Sequence, residues 1–261
     1  MAGKVLGQRE RLDKVLANHG FGTRKEVKHL IHFGRVTLNG SVCRDDAVHV
    51  NLETDEICVD GKALEVKLNA YIMMNKPAGY VCASKDGLHE TVFSLLGEEL
   101  NRNYLGGSLQ LVGRLDIDTE GLLIFTSDGA LNHYITSPQN KIPKTYFVRL
   151  KDKILPGNEE GQQDDYVKKL SLGMHIEAEG NEGEADCLPA HLEWKTQDEA
   201  CLTVYEGKYH EVKRLFKALG NEVIYLKRLK INGLTLDESL PKGSWRELTS
   251  EEYALLLDKK I

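Results

Sequence analysis

The sequence predicts an α+β chain in two parts, and three observations carry that reading. From Tyr71 onward, short stretches rich in Val, Ile, Leu, Thr and Tyr mix with helical patterns but lack the strand–helix–strand alternation of a doubly wound fold. The first 68 residues instead hold two helical patterns and then a tight hairpin signal. Charge divides the chain in the same way. Residues 9–44 carry eight basic and three acidic side chains, although the whole chain is formally −6. A linker at Lys67-Leu68-Asn69 therefore separates a small unit, 1–68, from a larger one, 69–261, with a mixed, mostly antiparallel sheet.

In the small unit, Leu12, Val15 and Leu16 fall at helical spacing, and Gly20 and Gly22 end that helix. Thr23-Arg24-Lys25-Glu26 is a capping box: the Thr side chain can satisfy an orphan amide while Glu26 reaches back. The helix it opens should bury Val27, Leu30 and Ile31, leaving Arg24, Lys28 and, past its end, Arg35 near another face. Asn39-Gly40, between Val36-Thr37-Leu38 and Ser41-Val42-Cys43, is a strong hairpin signal, and Asp60-Gly61 marks a second tight turn.

In the larger unit, strands are expected at Tyr71–Met74, Tyr80–Ala83, Gln110–Leu115, Leu122–Thr126, Thr145–Leu150 and Ala200–Tyr205. Helices are expected at Glu90–Leu96, Ala130–Ile135, Glu211–Leu219 and Ser250–Leu257, and residues 156–165 (PGNEEGQQDD) read as a mobile loop. With 41% hydrophobic residues the chain can bury a proper core. Its five cysteines, Cys43, Cys58, Cys82, Cys187 and Cys201, form no Cys-x-x-Cys pair, so no zinc site or disulfide framework is expected and a reduced, cytoplasmic setting fits. No apolar run approaches the roughly 18 residues needed to span a bilayer, and the N-terminus lacks a signal-peptide core. A monomer is expected, because no exposed apolar repeat demands a dimer.

Three strings carry candidate chemistry. Gly113-Arg114-Leu115-Asp116 opens GRLDIDTEGLLIFTSDGAL (residues 113–131), which sets an Arg and a carboxylate in a turn between the apolar runs Leu109–Val112 and Leu122–Phe125. A polar turn there needs water, a ligand or a partner charge. Asp116 and Asp118 resemble an Asp-x-Asp phosphohydrolase pair only weakly, since Gly113-Arg114 interrupts the strand and Glu120 takes the place of the Thr. An isolated Asp in such a loop would simply cap a turn. The second string is Lys144–Leu150 (KTYFVRL), an alternating strand whose Tyr146 would, unaided, read as core. In the third, Tyr205–Gly220, Val212, Leu215, Phe216 and Leu219 form one clean helical face. Lys213 sits in that helix's first turn, where a cation gains nothing from the macrodipole, so it calls for an acidic partner.

Taken as strings and in this order, the three motifs resemble those of the pseudouridine synthases, in the branch acting on ribosomal RNA. RLDKVLANHGFGTRKEVKHLIHFGRVTLNG (residues 11–40) resembles the RNA-binding module with the alpha-L motif first described in a small-subunit ribosomal protein. The resemblance spans about residues 9–255. It implies isomerisation of uridine to pseudouridine, with no cofactor, because product and substrate are isomers. It makes Asp116 the essential carboxylate, Lys213 its ion-pair partner, where many relatives carry Arg, and Tyr146 the ring that stacks on the target base and a candidate for taking its C5 proton. Lys213 would favour the ionised carboxylate. It also makes Arg114 the side chain that fills the gap or grips phosphate when the base is flipped out. Arg11, Arg24, Lys25, Lys28, Arg35 and Lys208 are further RNA contacts on this reading, and Arg214 either contacts RNA or substitutes for Lys213. Asn75-Lys76-Pro77-Ala78-Gly79-Tyr80 matches the family's opening turn, where Lys76 is a candidate phosphate contact. GKYHEVKRLF (residues 207–216) is similar to the small-subunit branch, whose target is uridine 516 of 16S rRNA. A 23S target, or a non-catalytic RNA-binding assembly factor, remains the alternative.

Overall fold

The computed structural model describes residues 9–52, 54–64, 66, 69–97 and 109–258. Lys67 and Leu68 of the expected linker lie outside them. The described residues form two compact units: the first takes in those up to Ala70 together with Gly97 and Leu109, the second Tyr71–Leu96 and those from Gln110 onward.

The first unit contains β1 (Arg9–Arg11), α1 (Leu12–Asn18), α2 (Arg24–His32), β2 (Val36–Leu38), β3 (Ser41–Val42), β4 (His49–Asn51), β5 (Ile57–Val59) and β6 (Lys62–Ala63). Strands β3-β2-β5-β6 make one small sheet, and β1 pairs with β4. The capping box forms at the start of α2, where Glu26 N donates to Thr23 Oγ1 at 3.3 Å and Thr23 N donates to Glu26 Oε2 at 2.7 Å. Asn39 and Gly40 both take positive φ, 51° and 78°, as a two-residue hairpin turn between right-twisted strands requires. Leu12, Val15, Leu16, Val27 and Ile31 of the two helices pack on Val36, Val50, Ile57 and Val59.

The second unit contains β7 (Tyr71–Lys76), β8 (Gln110–Leu111), β9 (Glu120–Thr126), α3 (Gly129–Thr136), β10 (Lys144–Leu150), α4 (Gln163–Ser171), β11 (His175–Ile176) and β12 (Ala185–Asp186). It continues with β13 (His191–Trp194), β14 (Glu199–Val204), α5 (Glu211–Ala218), β15 (Val223–Ile231), β16 (Leu234–Thr235), β17 (Trp245–Glu247) and α6 (Ser250–Leu257). The main sheet runs β13-β14-β10-β15-β9-β7-β17, with β8 beside β9 and β16 beside β15. Its pairs are antiparallel except β15 with β9, so the expectation of a mixed, mostly antiparallel sheet holds. One core gathers Val148, Leu202, Leu215 and Phe216 with Tyr166 and Leu170 of α4. A second gathers Met73, Leu122 and Ile124 with Leu131, Ile135 and Leu256. Gly121 sits on the parallel seam with φ 101°, and a Cβ there would lie 2.3 Å from Arg228 O, so only glycine lets the two strands meet.

Several expected elements differ. Tyr80–Ala83 forms no strand; only Val81 bridges to Thr91. Glu90–Leu96 shrinks to a single 3₁₀ turn at Ser94–Leu96. The strand expected to Leu115 stops at Leu111, and Gly113, at φ 72°, turns the chain away from it. The acidic loop of residues 156–165 ends early, because α4 begins at Gln163. Strand β15, the longest among the described residues, escaped the sequence reading. Its inward positions alternate as Leu226 and Arg228, and an arginine facing inward disguises the period.

Candidate active site

The turn at residues 113–119 leads from β8 into β9, and a buried cation shapes it. Lys76, the last residue of β7, is fully buried, and its Nζ donates to the carbonyls of Thr119 (2.8 Å), Pro77 (3.0 Å), Asp116 (3.1 Å) and Ile117 (3.3 Å). Burial lowers the Lys76 pKa, and nearby Cys82, Asp118, Asp116 and Glu120 oppose that. The expected phosphate contact of Lys76 is thereby corrected: its ammonium is spent holding the turn. The turn presents Asp116 into a cleft of about 960 Å³.

Helix α5 supplies the opposing wall. His210 caps it in the left-handed region (φ 48°), which points the helix's first turn at the carboxylate. Lys213 Nζ lies 3.2 Å from Asp116 Oδ2, and it donates to Asp118 at 2.6 and 2.9 Å. Against the penalty of burial, Asp118 and then Asp116 hold the Lys213 ammonium above its usual range. The same contact, again working against burial, keeps the Asp118 carboxyl below its usual range. The acidic partner expected for Lys213 is therefore a pair of carboxylates. His210 Nε2 stands 3.7 Å from Asp116 Oδ1, its Nδ1 stands 3.6 Å from Glu179, and its ring stacks on Tyr209 at 3.8 Å.

Tyr146 of β10 is 9% exposed and lines a small hollow beside the cleft together with Leu115, Asp116, Thr119, His210 and Leu226. Burial pushes its hydroxyl pKa up, while the Arg228 guanidinium close by works against that rise. Tyr146 thus offers a neutral ring rather than a phenolate. Arg114 is exposed on the cleft rim. Lys208 also lines the cleft and pairs with Glu206. Arg214 is 4% exposed and donates to the carbonyls of Glu177, Gly183 and Tyr209. It neither faces RNA nor replaces Lys213, which corrects both readings offered for it.

Behind the cleft lies a cluster that the sequence reading missed. Burial pushes the Glu211 carboxyl up to about 7 and the Lys144 ammonium down to about 8. Glu206, Glu211 and Cys187 bring three potential metal-ligand atoms within 4.8 Å of one another. Lys144 Nζ donates to Glu206 O and Lys208 Nζ reaches the Glu206 carboxylate, so two ammonium groups already neutralise this cluster.

In the first unit, most of the expected RNA contacts are engaged internally. Arg11 pairs with Asp13 and Asp46, Lys28 with Asp46 (2.8 Å), and Arg35 with Asp60 through two hydrogen bonds. Arg24 and Lys25 stand exposed at the start of α2.

Comparison with known proteins decides the family. Residues 70–218 match the RNA pseudouridylate synthase family and residues 10–62 the S4 domain. The chain belongs to the pseudouridine synthase family. It is 43% identical to an uncharacterised RNA pseudouridine synthase of Bacillus subtilis, over 94% of this chain and 98% of that one. It is 43% identical to ribosomal small subunit pseudouridine synthase A of Vibrio cholerae, again over 94% and 98%. With the Escherichia coli protein of that name it shares 38% identity over the same fractions. A solved pseudouridylate synthase, 36% identical, covers 94% of this chain and 99% of its own length with a TM-score of 0.62. This pseudouridine synthase is accordingly an isomerase, converting uridine to pseudouridine, with an S4 RNA-binding domain at its N-terminal end. Of its candidate site residues, Asp116, Tyr146 and Lys213 meet in one place although up to 97 positions separate them in sequence. His210, within the third motif, could have been found from the sequence. Arg228 could not, because the strand carrying it went unread.

Proposed function

We propose that this enzyme isomerises one uridine of small-subunit ribosomal RNA, of the 16S uridine-516 type, with residues 1–68 binding RNA and 69–261 performing catalysis. The full-length relatives named for the small ribosomal subunit support the substrate. The ion pair between Lys213 and Asp116, beside the ring of Tyr146, carries the assignment of roles. Asp116 attacks the sugar at C1′ or removes the proton at C2′; in either case the C1′–N1 bond breaks and uracil departs with the electron pair. Lys213 fixes the carboxylate's direction. Uracil turns over against Tyr146 and C5 bonds to C1′, which expels the Asp116 carboxylate or, on the C2′ route, is followed by return of the proton to C2′; the C5 proton then leaves and N1 takes one up. Atoms balance without any group or electron carrier. The base must first leave its helix, at a cost of a few kcal/mol, and Arg114 on the rim is placed to fill the gap. Arg24, Lys25 and Lys208 contribute phosphate contacts whose strength falls with salt. The enzyme acts as a cytoplasmic monomer.

The test uses rRNA from cells lacking this protein, incubated with wild-type or Asp116→Asn enzyme, and maps pseudouridine by carbodiimide labelling and primer extension. One new stop in 16S RNA, absent with the variant, is expected. A stop in 23S RNA would overturn the subunit assignment. Binding without any stop, on naked RNA or on assembling particles, would favour the assembly-factor reading.

A further inference from the structure

Apart from the exposed Arg114 on the rim, the cations around the cleft among the described residues divide into those already answered and one that is not. Lys76 and Arg214 are spent on backbone carbonyls. Lys144 also donates to carbonyls, Lys208 pairs with Glu206, and Lys213 is shared by two carboxylates. Arg228 differs. It is 1% exposed and lines the cleft, yet no carboxylate among the described residues lies within ion-pair distance of it. Its Nε donates to Leu122 O at 2.8 Å, while its buried Nη2 has no partner among the described residues.

A buried guanidinium nitrogen left without an acceptor is costly, and native structures keep such groups only where something compensates. Gly121 lets β15 approach β9 closely enough for Arg228 to reach Leu122 O, so the side chain is anchored through Nε and its guanidinium lies against the Tyr146 hydroxyl, while the covered Nη2 stays unpartnered. In register, Arg228 stands directly opposite Tyr146, the residue assigned to the target base. The unpartnered nitrogen, itself covered, therefore belongs to a side chain in the wall of the space where the base is handled.

We propose that Arg228 is a catalytic residue that stabilises the detached uracil as an anion, its Nη2 donating to a ring carbonyl oxygen. This rests on the reaction proposed above. When C1′–N1 breaks, both electrons stay with N1 and the negative charge spreads over the ring oxygens. That charge exists neither in the bound uridine nor in the pseudouridine product. A fixed, dry cation aimed at it favours the transition state over both, which is how a preorganised donor accelerates a reaction. The same bond can hold the free ring while it rotates, so that uracil does not escape before C5 joins C1′.

The experiment compares single-turnover rates of wild type, Arg228→Met and Arg228→Lys on RNA carrying uridine or 5-fluorouridine at the target position, reading loss of the target nucleoside. Fluorine withdraws electrons from the ring, so fluorouracil leaves with less assistance. On uridine, Arg228→Met is expected to lower the rate constant roughly 100- to 1000-fold, with RNA affinity near wild type. On 5-fluorouridine that deficit should shrink at least about tenfold, and Arg228→Lys, which keeps the charge but not the fork, should fall between. Equal losses on the two substrates, or a loss confined to KM, would overturn the proposal. Should Arg228→Met fail to fold, the same comparison is read on Arg228→Lys. Should wild type leave uridine unchanged, or Asp116→Asn convert it, the underlying reaction fails instead.

Discussion

Lys76→Met isolates the role of a buried ammonium that holds a turn by its carbonyls. Methionine matches the aliphatic stem but removes the ammonium, whose three N–H groups are shared among four carbonyls. Two of the acceptors keep other donors: Asp116 O receives Thr119 N at 3.1 Å and Ile117 O receives Gly79 N at 2.7 Å. The loss therefore concentrates on Pro77 O and Thr119 O, at about 1–3 kcal/mol for each carbonyl stripped of its donor. The variant no longer buries a charge, which offsets part of this, and the net destabilisation is about 2–4 kcal/mol. Urea unfolding followed by circular dichroism should show the midpoint falling by about 1 M at an unchanged slope. The turn carrying Asp116 loosens as well, so turnover under folding conditions should drop roughly 10- to 100-fold, with a smaller change in KM. An unchanged midpoint together with wild-type turnover would refute this account of Lys76.

Two further outcomes follow from the same region. The Glu211 carboxyl, raised to about 7 by burial, keeps its proton to higher pH in the folded chain than in the unfolded one. Stability therefore falls as pH rises from the unfolded value toward 7 and stays lower above it. Glu211→Gln should remove that fall and gain up to about 3 kcal/mol near pH 8; unfolding curves for variant and wild type that run parallel across pH would contradict it. Gly121→Ala places a methyl group against Arg228 O at a φ suited to glycine, and should cost about 3 kcal/mol or more, seen as loss of soluble protein or a sharply lowered Tm. A variant as stable as wild type would show that the seam is slack.

What was legible in the sequence was whatever local chemistry fixes. Thr23 and Glu26 specify their cap, Asn39-Gly40 its turn, and Val212, Leu215, Phe216 and Leu219 their buried face, without help from distant residues. Helices α3, α5 and α6 appear within one residue of their expected bounds. Tyr80–Ala83 has β-forming residues but pairs only at Val81, since β propensity is satisfied only where a neighbouring edge is free. Lys76 and Arg214 looked like surface cations because a sequence does not reveal which carbonyls will surround them. The need of Lys213 for an acidic partner could be inferred from its place in the helix, whereas its sharing between Asp116 and Asp118 could not.

The place of β15 in the sheet has a consequence for the order in which the enzyme comes into being. Strands β9 and β10 leave the ribosome early, yet the strand that lies between them ends only at Ile231. Until it arrives, β9, buried at every position in the finished fold, lacks its neighbour on one side and offers a sticky edge. The site is split in time along the same line. Asp116 and Tyr146 are synthesised first, and the cations Lys213 and Arg228 last. A nascent chain thus holds Asp116 and Tyr146 before the cations that come to lie against them. A truncation that removes β15 therefore takes Arg228 with it and leaves β9 and β10 without the strand between them.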